Sequence, residues 1–201
     1  MKLPTPPLLV ITDRLNAAYP LHTIVDAAFM AGGRWVMVRE KDLDDAALAA
    51  LARDVAARGR RYGATVVVNG LAVDGCAGVH LPHGRDVAAM RRRLGKDALL
   101  GVSAHSLAEI VAAADAGADY VTLSPIFLTA SKPGYGPALG LAGLRAAAAA
   151  SPIPVIALAG ITPDTVADCI TMGAAGVAVM GTVMRADDPV ATVRRYLEAL
   201  S

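Results

Sequence analysis

The sequence predicts an α/β chain folded as one single-domain (β/α)8 TIM barrel across residues 1–201. Three observations carry that prediction. Short apolar, β-branched runs recur along the chain, each ending in a polar or glycine-rich turn. Alanine-rich stretches of helical length follow nearly all of them. The chain has a length that α/β barrels use as one domain, and it is 55% hydrophobic with few aromatics, which suits helices packed on a parallel sheet.

The strands are expected at Leu8–Thr12, Trp35–Arg39, Thr65–Asn69, Gly78–Leu81, Leu99–Ser103, Tyr120–Ser124, Val155–Ala159 and Gly176–Met180. Helices are expected near Leu21–Ala31, Leu43–Arg61, Arg85–Leu94, Leu107–Ala116, Leu141–Ala150, Pro163–Met172 and Pro189–Leu200. The link at Leu71–Cys76 is too short for more than one helical turn. Start and stop signals support several of these elements. Ser106 with Glu109 three residues on reads as a capping box, and Gly117 ends that helix. Thr162-Pro163 pairs a cap with an N1 proline ahead of Gly173, and Asp188-Pro189 repeats the signal for the last helix. An open doubly wound sheet is the rival architecture. The turn after the first strand argues against it, because it reads Thr12-Asp13-Arg14 and carries no GxGxxG.

Bulk charge narrows the partners. The net charge is +1, so no global field marks nucleic acid or membrane. The pairs and triplets Arg60-Arg61, Arg91-Arg92-Arg93 and Arg194-Arg195 fall in helical segments and read as solvated faces. Cys76 and Cys169 lack metal-type spacing and read first as reduced core thiols, with a disulfide as the lesser alternative. The Pro-rich start has no signal-peptide core, and no apolar stretch reaches membrane-span length uninterrupted, so a cytoplasmic protein is expected.

In a barrel the active face lies at the C-terminal strand ends, which makes the polar residues there the candidates. In chain order they are Thr12, Asp13 and Arg14; Arg39, Glu40, Lys41 and Asp42; Asn69; His80, His83 and Arg85; Ser103 and His105. Ser124, Thr129, Ser131 and Lys132 follow strand six, Gly160 follows strand seven, and Gly181 and Thr182 follow strand eight. This ring is basic at Arg39, Lys41, Arg85 and Lys132 although the molecule is nearly neutral, which points to an anionic small molecule. The turns Ala159-Gly160-Ile161 and Met180-Gly181-Thr182 hold the usual phosphate position of such barrels. The loop from Pro125 to Gly140, with Thr129, Ser131 and Lys132 among prolines and glycines, adds hydroxyl, ammonium and backbone donors suited to an anion. His80, at the end of a short apolar strand, reads first as a hydrogen-bonded structural histidine and second as a base.

The segments VITDR, VREK, GVHL, GVSAHS, GADYVTLSPIFLTASKPGYGP, ALAGITP and GVAVMG together resemble the thiamine phosphate synthase/TenI family, from Leu9 to about Pro189. The resemblance implies a barrel acting in thiamine biosynthesis. Synthases of that family join hydroxymethylpyrimidine pyrophosphate to thiazole phosphate and release pyrophosphate with Mg²⁺ assistance. It further implies that Arg39 and Lys41 contact the diphosphate and that Ser103 stands on its diphosphate or metal side; Asn69, Arg85 and His105 are expected to bind substrate or phosphate beside them. Thr129, Ser131 and Lys132 match a Thr-x-Thr-Lys group, with Lys132 offsetting charge on the departing pyrophosphate. Gly160, Met180 and Gly181 match the thiazole phosphate cradle.

The chain departs from that pattern on the pyrimidine–Mg²⁺ side. Asn69-Gly70 stands where the synthases carry Asn-Asp. Pro82-His83-Gly84-Arg85-Asp86 replaces a Gly-Gln-x-Asp run, which leaves Arg85, or Asp86 after a one-residue shift, at the second acidic position. Met37 takes the place of a glutamine that reads the pyrimidine. Mg²⁺ is expected as cofactor, held weakly for want of hard oxygen ligands, with Asp86 as the candidate ligand and Arg85 as a substitute charge. Two other readings stand beside the synthase. One is a TenI-like thiazole tautomerase, in which His105 or His80 must carry the proton because Pro125 replaces the family's histidine. The other is a non-catalytic barrel that binds thiazole phosphate or thiamine phosphate.

Overall fold

The computed structural model describes residues 3–129 and 137–201. Its strands are β1 (Leu8–Ile11), β2 (Trp35–Val38), β3 (Thr65–Asn69), β4 (Gly78–Leu81), β5 (Leu99–Ala104), β6 (Tyr120–Leu123), β7 (Val155–Leu158) and β8 (Gly176–Val179). All pairings are parallel, and β1 pairs with β8 to close an eight-stranded barrel in sequence order. Every predicted strand forms, with ends that differ by a single residue where they differ at all.

The helices are α1 (Leu21–Met30), α2 (Asp45–Arg60), α3 (Val87–Leu94), α4 (Leu107–Asp115), α5 (Gly140–Ala150), α6 (Pro163–Thr171), α7 (Gly181–Met184) and α8 (Pro189–Ala199). No helix joins β3 to β4. Two elements went unpredicted: a 3₁₀ turn at Arg14–Asn16 and the four-residue α7. Both are too short to show a periodicity.

Side chains alternate across the barrel wall, so each strand is buried on both faces. Leu8, Val10, Val36, Val38, Val66 and Val68 point outward and pack under the helices. Leu9, Ile11, Trp35, Met37, Val67, Leu99, Tyr120, Ile156 and Ala178 fill the interior. Trp35 meets Tyr120 edge to face, with ring centroids 4.9 Å apart. Gly101 makes room there: a Cβ on it would strike the Tyr120 ring and His80 Nδ1.

Several helix ends form as the sequence suggests. Ser106 and Asp188 accept hydrogen bonds from the Glu109 and Ala191 amides. The reciprocal half of the box at Ser106 does not form, because Glu109 Oε2 instead accepts the His105 N–H at 2.7 Å. At Thr162 the return bond is made by Thr165, whose Oγ1 accepts the Thr162 N–H at 3.0 Å. Arg91 is not simply a solvated face. It pairs with Asp119 and donates to the carbonyls of Gly95, Ala98 and Gly117, clamping α3 to the base of the barrel. Both cysteines are free; burial raises the pKa of each thiol, to about 11 for Cys169. Among the described residues, no helix is long and apolar enough to cross a membrane.

Candidate functional site

The C-terminal ends of the strands surround a pocket of about 490 Å³. Its lining is assembled loop by loop. On β2 the chain leaves the barrel at Arg39, whose backbone N–H donates to Thr12 Oγ1 at 2.9 Å. Thr12 is fully buried, and Glu40 beside it is nearly so. Glu40 Oε2 accepts the Arg14 N–H at 3.0 Å, while its Oε1 has no hydrogen-bond partner. Arg14 also pairs with Asp42. These bonds tie the loops after β1 and β2 together and leave Arg39 and Lys41 lining the pocket.

Asn69 lines the pocket at the end of β3. On β4, His80 is buried beneath the pocket and is not part of its lining. His80 Nδ1 lies 3.1 Å from Tyr120 Oη, and Nε2 lies 3.0 Å from Ser103 Oγ and 3.3 Å from Thr122 Oγ1. Burial, with help from the nearby Arg39 charge, pushes its pKa down to about 3, so the ring is neutral. Burial, then Asp119, also raises the Tyr120 pKa strongly, so that partner is a neutral phenol. His80 is therefore the structural histidine of the two readings, and it orients Ser103, which does line the pocket.

Ser103, His105, Ser124 and Thr129 continue the wall. His105 Nδ1 donates to the Ser124 carbonyl at 2.8 Å, because a carbonyl only accepts; that assigns the proton to Nδ1 and makes Nε2 the basic atom. His83 lines the rim, with its ring centroid 5.7 Å from that of His105 and its Nδ1 3.2 Å from Glu109 Oε2.

The turns after β7 and β8 complete the pocket. Ala159 and Gly160 take left-handed φ values of +80° and +67°. A Cβ on Gly160 would come within 2.6 Å of Leu128 O and of Phe127 Cβ, so close approach of the β6 loop requires glycine there. Met180, Gly181, Thr182 and Arg185 follow from β8 and α7. Tyr196 Oη, in the core, lies 2.8 Å from Ile161 O and 2.9 Å from Thr182 Oγ1, which fixes the two turns against each other.

The predicted site residues Arg39, Lys41, Asn69, Ser103, His105, Thr129, Gly160, Met180 and Gly181 thus meet in one pocket. Arg85 and Asp86 are exposed and stand apart from its lining; the Asp86 carboxylate caps α3 by accepting the Ala89 N–H at 2.8 Å. Met37 is packed inside the barrel with Ile11, which itself reaches the pocket. Ser131 and Lys132 lie outside the described residues. Arg185 was missed, because it stands four residues beyond Gly181, past the strand-end positions that the ring of candidates considered. Between Gly181 and Arg185 stand Thr182, Val183 and Met184, in a four-residue helix too short to show a periodicity.

No carboxylate belongs to the described lining, and no three His, Cys, Asp or Glu side chains gather into a candidate metal site among the described residues. Magnesium prefers carboxylate and other hard oxygen ligands, whereas this lining offers neutral Asn69 and Ser103 oxygens and the cations Arg39, Lys41 and Arg185. The donor set does not fit the ion.

Known proteins share this architecture and sequence. The family described as thiamine monophosphate synthase (TMP-TENI) matches residues 8–183. The chain is 38% identical over 200 residues to the thiamine-phosphate synthase of Chloroflexus aurantiacus, covering 96% of this chain and 92% of that protein. The match to the thiamine-phosphate synthase of Moorella thermoacetica is also 38% identical over 200 residues, covering 96% and 94%. It is 41% identical over 181 residues to the thiamine biosynthesis bifunctional protein ThiM/ThiE of Symbiobacterium thermophilum; that match covers 87% of this chain and 38% of the longer relative. The solved thiamine phosphate pyrophosphorylase of Pyrococcus furiosus superposes with a TM-score of 0.84 at 27% identity, covering 96% of this chain and 94% of that one.

Proposed function

The chain belongs to the thiamine monophosphate synthase (TMP-TENI) family, and on that premise we propose a transferase that joins hydroxymethylpyrimidine pyrophosphate to thiazole phosphate. The observation that carries the reading is a single pocket holding both the Arg39–Lys41 cations and the Gly160 and Gly181 turns. Such a pocket suits a substrate pair with a phosphate group at each end.

The chemistry follows from where the charges sit. The C–O bond to the pyrimidine methylene breaks, and its electron pair leaves with pyrophosphate. Arg39 and Lys41, respectively half-buried and exposed in the pocket wall, stabilise the negative charge developing there. Lys132, placed by the resemblance beside Thr129 and Ser131, adds a third positive charge. The thiazole nitrogen then attacks the methylene carbon to form the new C–N bond. That step asks of the protein chiefly that the two reactants be held in line. His80 contributes by holding Ser103. Mg²⁺ is proposed to reach the site on the diphosphate and not on protein carboxylates, so its half-saturating concentration should follow the diphosphate concentration. A cytoplasmic location belongs to the same proposal.

A second reading has one observation in its favour. His105 lines the pocket with its proton on Nδ1, the tautomer that a base acting through Nε2 needs in a thiazole tautomerase; His80, buried and with both nitrogens engaged, does not qualify. The deciding assay supplies both phosphorylated substrates with Mg²⁺ and measures thiamine phosphate. Formation of that product supports the transferase. No product at high enzyme concentration, with thiazole phosphate still bound in calorimetry, overturns it. Isomerisation of the thiazole carboxylate phosphate then separates a tautomerase from a silent binder.

A further inference from the structure

We propose that Arg185 is a substrate-binding residue of this pocket, its guanidinium lying across Gly181 to grip the phosphate of the thiazole substrate. The inference rests on the transferase reading for the identity of the ligand, and on the geometry of α7 for the residue.

Arg185 lines the pocket together with Gly160, Met180, Gly181 and Thr182. Its position follows from the local helix. The Arg185 N–H donates to Gly181 O at 3.0 Å, so α7 stacks residue 185 one turn above residue 181. The side chain then folds back over that residue. A Cβ on Gly181 would sit 2.5 and 2.7 Å from the two Nη atoms, so the guanidinium occupies space that the glycine leaves open. Gly181 is not in the left-handed region, and the guanidinium lies where a side chain on residue 181 would begin.

The base of the arginine is rigid. Val183 and Met184 are fully buried, Met184 O accepts the Ala18 N–H at 2.8 Å, and Thr182 is held by Tyr196. The guanidinium is thus carried on a fixed turn beside the left-handed Ala159-Gly160 turn. A planar fork of N–H donors matches phosphate oxygens two at a time, and glycine turns let the phosphate approach backbone amides. Arg39 and Lys41 stand after β2, with β1 between them and β8, so the pocket has a cation for the diphosphate and a separate one for the monophosphate. On this assignment Arg185 selects phosphorylated thiazole over the free alcohol.

The test is calorimetry of thiazole phosphate alone, and steady-state kinetics with both substrates, on wild type, R185A, R185K, G181A and the G181A/R185A double variant. R185A should weaken thiazole phosphate about tenfold and raise its KM alike, while the KM for the pyrimidine pyrophosphate stays unchanged. R185K should recover part of the loss. G181A displaces the guanidinium, so it should weaken binding in wild type and add little in the R185A background; such non-additivity is the signature of one shared interaction. Equal affinity in wild type and R185A overturns the assignment. Additive losses in the double variant overturn the coupling to Gly181. If R185A weakens thiazole phosphate yet wild type makes no thiamine phosphate, the role of Arg185 stands and the transferase reading falls. If wild type binds no thiazole phosphate, both fall.

Discussion

Acidification should destabilise this barrel through His80, and the size of the effect follows from its surroundings. The ring is enclosed by Tyr120, Thr122 and Ser103, and its pKa is pushed down to about 3 from 6.5. In the unfolded chain the same side chain takes up a proton near its ordinary value. Between these two pH values the unfolded state therefore binds more protons than the native state, and stability falls as pH falls. The contribution is fully present above the unfolded pKa and is lost progressively as pH approaches the folded pKa. Linkage gives about 1.4 kcal/mol per pH unit inside that window, so the loss between about pH 7 and about pH 4 is about 3 kcal/mol. Against a typical domain stability of about 5–15 kcal/mol, that is easily measured. The single tryptophan, Trp35, is buried against Tyr120 and reports unfolding by its fluorescence. Urea titrations of wild type and His80→Gln at several pH values isolate the histidine from the background of surface carboxylates. His80→Gln should be less stable near neutral pH, because it re-forms the hydrogen bonds imperfectly, yet show a shallower loss on acidification. Parallel pH profiles in the two proteins would refute the buried neutral histidine.

Three further substitutions probe the site. Gly160→Ala places a Cβ against Leu128 O and Phe127 in a left-handed conformation; it should cost about 1–3 kcal/mol in denaturation and raise the KM for thiazole phosphate. Unchanged stability would mean that the turn relaxes freely. Thr12→Val removes the acceptor for the Arg39 N–H and should cost about 1–3 kcal/mol as a buried donor loses its partner. Because that donor carries Arg39, the KM for the pyrimidine pyrophosphate should rise as well; a stability loss without the KM change would uncouple the two loops. Lys132→Ala should lower kcat about 100-fold if its charge meets the departing pyrophosphate. Turnover and phosphate affinity that both stay at wild-type levels would remove Lys132 from the mechanism.

The parts of this protein that sequence reveals are those fixed by neighbours in the chain. The strands are legible because runs such as Val66-Val67-Val68 and Leu8-Leu9-Val10-Ile11 are apolar on both faces, as a covered parallel sheet requires. The glycine turns of the pocket are legible because strand ends at Gly160 and Gly181 fall at one face of any such barrel. What stays hidden depends on partners far along the chain. The state of His80 is set by Ser103, Tyr120 and Thr122 on β5 and β6, and nothing local in Gly78–Leu81 distinguishes a caged imidazole from a base. Met37 sits at a position that the resemblance assigns to pyrimidine reading, yet its side chain joins the interior packing with Trp35 and Tyr120. Arg185 is hidden for the opposite reason, since a four-residue helix leaves no pattern from which its return over Gly181 could be read.

The same distinction decides how the pocket handles charge. A net charge of +1 says nothing about where cations gather. Topology gathers them, because the loops after β2 and β8 open onto one pocket and bring Arg39, Lys41 and Arg185 into its wall. The two acidic positions expected on the other side are Gly70, in a left-handed turn, and Arg85, exposed beside a helix-capping Asp86. On the transferase reading proposed above, a site that lacks these carboxylates and keeps its cations neutralises a diphosphate through side chains. Its binding energy should therefore weaken with ionic strength, since charges that open to solvent are screened over about 10 Å at about 0.1 M salt. A pocket organised around a bridging, protein-held cation would instead respond chiefly to the concentration of that cation.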